Sequence, residues 1–180
     1  MKISALAVAG AVLVAGLGVA GFAVGQTSPS RADTSSGPGQ VSVVGAYVRA
    51  PVPPTKLAAG YFTVYNTTSA PDRLVSVQTG AGASAVLHVG TVGGGMAPVG
   101  ANGVVVPAHG RLVLSTGNGH VMIGQLFGPV KAGQTVDMTL QFEKAGTVNV
   151  VAPVIAVGAP APAGAGPSAS SSMSMNMGDH

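Results

Sequence analysis

Across Thr135–Phe142 the chain alternates without a break: Val136, Met138, Leu140 and Phe142 fall on one side, and Thr135, Asp137, Thr139 and Gln141 on the other. Successive side chains of a β-strand point to opposite faces, so this stretch predicts a strand with one face turned toward a core, and Met138 reads as core. Glu143-Lys144-Ala145-Gly146 supplies a polar turn with a glycine, and Thr147–Val154 returns as the second arm of a hairpin. Upstream, short runs of Val, Thr, Leu and Tyr are broken by Gly, Pro, Asn and Asp at intervals of about ten residues, which is all-β punctuation. These runs predict strands at Val41–Arg49, Ala58–Asn66, Arg73–Gln78, Ala85–Val89, Gly103–Val106, Arg111–Leu114 and His120–Leu126. Many short strands of this kind predict a sandwich or barrel. No stretch sustains a helical period. Pro51-Val52-Pro53-Pro54 lacks backbone donors and predicts an exposed loop.

The pattern fails at both ends. Met1–Gly25 carries Lys2 and then an apolar run from Leu6 to Val24, closing on Ala23-Val24-Gly25. It predicts an export signal cleaved near Gly25, with a retained membrane anchor as the alternative, and places the remainder outside the cytoplasm. Residues 26–40 are Ser, Thr, Pro and Gly with single charges, the composition of a linker. The β domain is expected over 41–154. Residues 155–180 form an Ala, Pro and Ser tail, expected to be flexible, that ends in Met173-Ser174-Met175-Asn176-Met177-Gly178-Asp179-His180.

Composition then narrows the chemistry. Charged residues are 7% of the chain and the net charge of +3 comes from scattered Lys and Arg, so there is no basic patch and no sign of a nucleic-acid partner. There is no cysteine, which removes disulfides, thiolate nucleophiles, blue copper and a lipid-carrying thioether. The acids beyond the linker are Asp72, Asp137, Glu143 and Asp179, all in turns, on a polar strand face or in the tail, and none joins a catalytic grouping. An enzyme is not expected.

The residues left over are methionines near histidines. His120 and Met122 are one residue apart, a spacing that projects an imidazole and a thioether from one strand face. Met96 follows His88 across a glycine-rich loop, Thr91–Gly95, able to bring a donor back toward the strand it left. Two imidazoles and two thioethers form a neutral, soft donor set that favours Cu(I) over Mg²⁺, Ca²⁺ or Mn²⁺. In the tail, Met173, Met175, Met177 and His180 offer a second such group. His109, in Pro107-Ala108-His109-Gly110, reads as a solvated turn residue. The competing reading is a cell-envelope structural or adhesion β-sandwich in which these side chains are incidental.

Taken in order, His88, Met96-Ala97-Pro98-Val99 and His120-Val121-Met122 resemble the pattern of the PCu(A)C copper chaperones: His, ten residues, Met, twenty-one residues, His, one residue, Met. Ala59-Gly60-Tyr61, Pro71-Asp72-Arg73-Leu74, Val106-Pro107-Ala108 and Leu140-Gln141-Phe142-Glu143-Lys144-Ala145-Gly146 add to the likeness, which spans about Gly45 to Pro153. The spacing departs from the pattern, with seven residues between His88 and Met96 and twenty-three between Met96 and His120; both differences fall in Gly-rich or turn segments, where loops change length readily. The resemblance implies a cupredoxin-like Greek-key β-sandwich or barrel that carries Cu(I) toward cytochrome c oxidase subunit II or another copper-assembly protein. It also implies additional copper, as Cu(II), on the tail.

Overall fold

The computed structural model describes residues 35–36 and 41–165. The expected signal or anchor, most of the linker, and the tail donors Met173, Met175, Met177 and His180 lie outside the described residues. Within them the chain is all-β: β1 Ser35–Ser36, β2 Val41–Arg49, β3 Ala58–Asn66, β4 Asp72–Thr79, β5 Gly82–Gly90, β6 Met96–Pro98, β7 Val104–Val106, β8 Arg111–Leu114, β9 Gly119–Leu126, β10 Thr135–Phe142 and β11 Thr147–Ile155.

Seven of these strands close into a ring. The order β2-β11-β10-β4-β5-β9-β3 returns to β2 through the β2–β3 pairing. Closure leaves no open edge in the ring, which answers the usual liability of an unpaired strand. The hairpin read from the sequence is present, with Thr135 opposite Pro153 and Gln141 opposite Thr147. The ring is completed by a parallel contact in which Val154 and Ile155 lie beside Val48 and Arg49. β1, β6, β7 and β8 pair onto β2, β5, β4 and β3 respectively.

Inward positions alternate as the pattern predicts. Val136, Met138, Leu140 and Phe142 of β10 are buried, and they meet Val43, Val48, Phe62, Leu74, Leu114, Val121 and Ile123 in a single core. Met138 is fully buried. Because Val121 and Ile123 go inward, the alternate residues of β9 must face out, and this decides where His120 and Met122 project.

A buried carboxylate ties the β10–β11 turn to β4. Asp72 accepts hydrogen bonds from the backbone amides of Arg73 (2.7 Å), Lys144 (2.9 Å) and Ala145 (2.9 Å). The Pro51–Pro54 loop is largely exposed, as its prolines dictate, and His109 sits exposed in its turn with a left-handed backbone.

Candidate metal centre

β9 is the platform of the site. It pairs with β5 so that His88 lies directly opposite His120, and Val86 directly opposite Met122. Residues directly opposite in an antiparallel ladder point to the same side, with Cβ atoms about 5 Å apart. His88, His120 and Met122 therefore share the outer face of the β5–β9 ladder. The two imidazoles are stacked, with ring centroids 5.2 Å apart and an interplanar angle of 11°.

The shortened loop after His88 brings Met96 to the same face. Gly94 donates to the carbonyl of Thr91 (3.0 Å), and the amide of Thr91 donates to the carbonyl of Gly95 (2.7 Å), closing a tight turn. β6 then runs back along β5 with Gly90 opposite Met96 and His88 opposite Pro98. Met96 thus stands diagonal to His88, within about 7–8 Å by strand geometry. It is the outermost of the four donors, 39% exposed, whereas His88, His120 and Met122 are half-buried.

Several features hold the imidazoles in a form suited to binding a metal. Nδ1 of His88 lies 3.2 Å from the Val86 carbonyl. A carbonyl can only accept, so this contact favours the tautomer protonated at Nδ1 and leaves Nε2 with a free lone pair. Burial pushes the pKa of His120 down, and the neighbouring His88 pushes it the same way. A neutral ring is the ligating form of histidine.

Behind His120 stands an aromatic pair that sequence reasoning did not connect to the site. Tyr61 lies 6.3 Å from the His120 ring, and Tyr47 stacks on Tyr61 with centroids 5.0 Å apart. Arg49 caps the row, with its guanidinium carbon 5.6 Å from the centre of the Tyr47 ring. Burial raises the Tyr61 pKa and keeps the phenol protonated. Its place was partly legible: Ala59 pairs with Met122 and Gly60 with Val121, so Tyr61 continues the same register toward His120, but only once β3 and β9 are known to be neighbours.

The donor set is neutral throughout. No Asp or Glu occurs in β3, β5, β6 or β9, and among the described residues no three His, Cys, Asp or Glu side chains converge. Hard cations are held chiefly by carboxylate oxygens, and none of these strands carries a carboxylate.

The family described as "Putative lipoprotein LpqE-like" matches residues 41–154. A protein of Leifsonia xyli subsp. xyli, "Putative lipoprotein Lxx21020", is 30% identical over 140 residues, covering 77% of this chain and 82% of its own length. The copper-bound PCuAC domain from PmoF2 superposes with a TM-score of 0.59 at 28% identity, covering 68% of this chain and 97% of that domain. The solution structure of CuI-DR1885 from Deinococcus radiodurans gives 0.54 at 34% identity, covering 66% of this chain and 80% of the other. The apo PCuAC domain from PmoF1 gives 0.59 at 30% identity, covering 68% and 98%. The match runs from the first residue of β2 to the last turn of the ring in β11, and on that ground the chain belongs to the LpqE-like family.

Proposed function

We propose that this protein is an exported copper carrier that holds Cu(I) on the outer face of β5, β6 and β9 through His88, His120, Met122 and Met96, and passes it on without catalytic turnover. The observation that carries the reading is the register of His88 against His120 with Met122 on the same face. That register gathers two imidazole nitrogens and a thioether with no carboxylate among the strands that carry them. Thioethers and imidazoles together favour soft Cu(I) and stay available in an oxidising compartment, where thiolates would pair. The copper-bound PCuAC domain from PmoF2 and CuI-DR1885 share this fold at 28% and 34% identity, which supports copper as the cargo.

A site on an open sheet face suits handover, because a recipient's donors can approach before the first set lets go. Delivery toward a respiratory copper site, such as that of cytochrome c oxidase subunit II, is the destination the PCu(A)C resemblance implies. The apolar segment 1–25 and the lipoprotein names of the relatives support a cell-envelope location. The adhesion alternative gives no reason for the His88–His120 pairing and is not favoured.

The test is a Cu(I) titration of the protein against a chromophoric competitor, repeated with His120→Ala and Met122→Ala in a background whose tail methionines are replaced by serine. The carrier reading expects one tight equivalent that both substitutions weaken. An adhesion domain would show no stoichiometric binding in that background.

A further inference from the structure

The outer face of the ring of strands carries a row of four side-chain rings. Tyr47 of β2 lies directly opposite Tyr61 of β3. Gly60 lies opposite Val121, so Tyr61 falls level with His120, and His120 lies directly opposite His88. Successive ring centroids are 5.0, 6.3 and 5.2 Å apart, spacings at which aromatic side chains pack on one another. His120 stands third in the row, between Tyr61 and His88, so rings from both neighbouring strands set its orientation.

The row exists because β2 changes phase. Between Val44 and Tyr47 two residues, Gly45 and Ala46, stand against the single Phe62, a bulge in which Gly45 takes a left-handed backbone (φ +60°). Val41 and Val43 enter the core before the bulge, and Ala46 and Val48 after it. Without the extra residue Tyr47 and Arg49 would turn inward; with it they face out. Tyr47 is nevertheless only 2% exposed. The chain after β11 meets β2 on either side of it. Nη1 of Arg49 donates to the carbonyls of Ala156 (3.3 Å) and Ala159 (3.0 Å), and the backbone of Gly164 and Ala165 lies so close to Gly45 that a Cβ there would collide with it. Held in this way, the Arg49 guanidinium sits over the Tyr47 ring, its carbon 5.6 Å from the centroid.

We infer that Arg49 and Tyr47 are positioning residues for copper binding: fastened to the chain beyond β11, they fix the far end of the ring row and, through Tyr61, the orientation of His120. The inference rests on the copper-carrier reading of the β5–β9 face and extends the support of that face to β2, two strand spacings from β9, about 10 Å at ~4.8 Å each. A histidine already held in its binding orientation gives up less freedom when it takes the ion, and outer partners that orient metal-bound histidines are worth about 10–100-fold in affinity. Tyr47 and Arg49 act one ring further out, which puts them at the lower end of that range.

The experiment uses the full chain with its tail methionines replaced by serine, and compares that parent with Arg49→Ala, Tyr47→Leu and Tyr47→Phe. Histidine ring resonances are read in the copper-free protein, and Cu(I) affinity by competition with a chromophoric chelator below the melting transition of each variant. Arg49→Ala and Tyr47→Leu should broaden the His120 resonances while His109, exposed in its turn between β7 and β8, stays sharp, and should lower Cu(I) affinity about tenfold. Tyr47→Phe keeps the ring and should match the parent in both readouts. Unchanged His120 resonances and unchanged affinity in Arg49→Ala and Tyr47→Leu would overturn the inference and leave the barrel reading intact. A loss in Tyr47→Phe as large as in Tyr47→Leu would overturn it too, since the ring would then not be what matters. A parent that takes up no stoichiometric copper would remove the barrel reading itself, and the His120 linewidths of the copper-free variants would still decide whether the row orients that ring.

Discussion

His88 and His120 stand directly opposite one another on β5 and β9, with their rings 5.2 Å apart and nearly parallel. Two imidazoles stacked this closely on a half-buried face resist double protonation, and the pKa of His120 is lowered first by burial and then by His88. A histidine whose folded pKa lies below its unfolded value of about 6.5 leaves the unfolded chain binding more protons as pH falls. The metal-free domain should therefore lose stability as pH drops through about 6.5, with no further loss from this group once the folded pKa is passed. Histidine NMR titration should place His120 below the ordinary imidazole range, and denaturation in His120→Gln should show a shallower pH dependence over the same window.

Removing Met122 should cost the domain about 100-fold in Cu(I) affinity, since losing an outer-shell partner alone costs about 10–100-fold and a ligand is worth at least as much. Met96→Ala should cost less, about tenfold, because Met96 lies on the short outer strand β6 and is 39% exposed. Competition titration of the two variants checks the ranking, and equal losses would place Met96 on the same footing as Met122.

Much of the fold was legible because its strands advertise themselves locally. The Thr135–Phe142 alternation and the Arg111–Leu114 run have the observed bounds, while Arg73–Gln78 and Ala85–Val89 extend outward by one to three residues at their ends. β6 was not legible as a strand. Its three residues follow Gly93-Gly94-Gly95 and have no pattern of their own; they are a strand only because β5 lies alongside. The site divides the same way. That His120 and Met122 share a face is written in their spacing, whereas the pairing of His88 with His120 is a matter of register between strands distant in sequence. The hydrogen bonds from Nη1 of Arg49 to the carbonyls of Ala156 and Ala159 are equally non-local, and an Ala/Pro/Gly composition gives no hint of them.

Tyr61 backs the His120 ring and is buried to 7% exposure against Tyr47. Truncating a buried aromatic leaves a cavity, so Tyr61→Ala should destabilise the domain by about 3–5 kcal/mol. Tyr61→Phe keeps the ring and should cost about 1 kcal/mol. Urea denaturation measures both. A positioning role predicts that Tyr61→Leu also broadens the His120 imidazole resonances, which a loss of packing elsewhere in the core would leave sharp.

Asp72 provides a control far from the donors. Its carboxylate accepts three backbone amides that bind the β10–β11 turn to β4. Charge-assisted hydrogen bonds in a buried setting are the stronger kind, and Asp72→Ala should cost about 3 kcal/mol of stability. Cu(I) affinity of the folded fraction should stay within about twofold of the parent, as measured below the variant's melting transition.

Side chains of β5 and β9 are proposed to meet at one soft cation, and Cu K-edge X-ray absorption at one equivalent of Cu(I) reads their donor atoms. The expected coordination sphere contains both imidazole nitrogen and thioether sulfur, with the nitrogen contribution reduced in His88→Ala and in His120→Ala and the sulfur contribution reduced in Met122→Ala. Spectra that are identical in the parent and all three variants would contradict it.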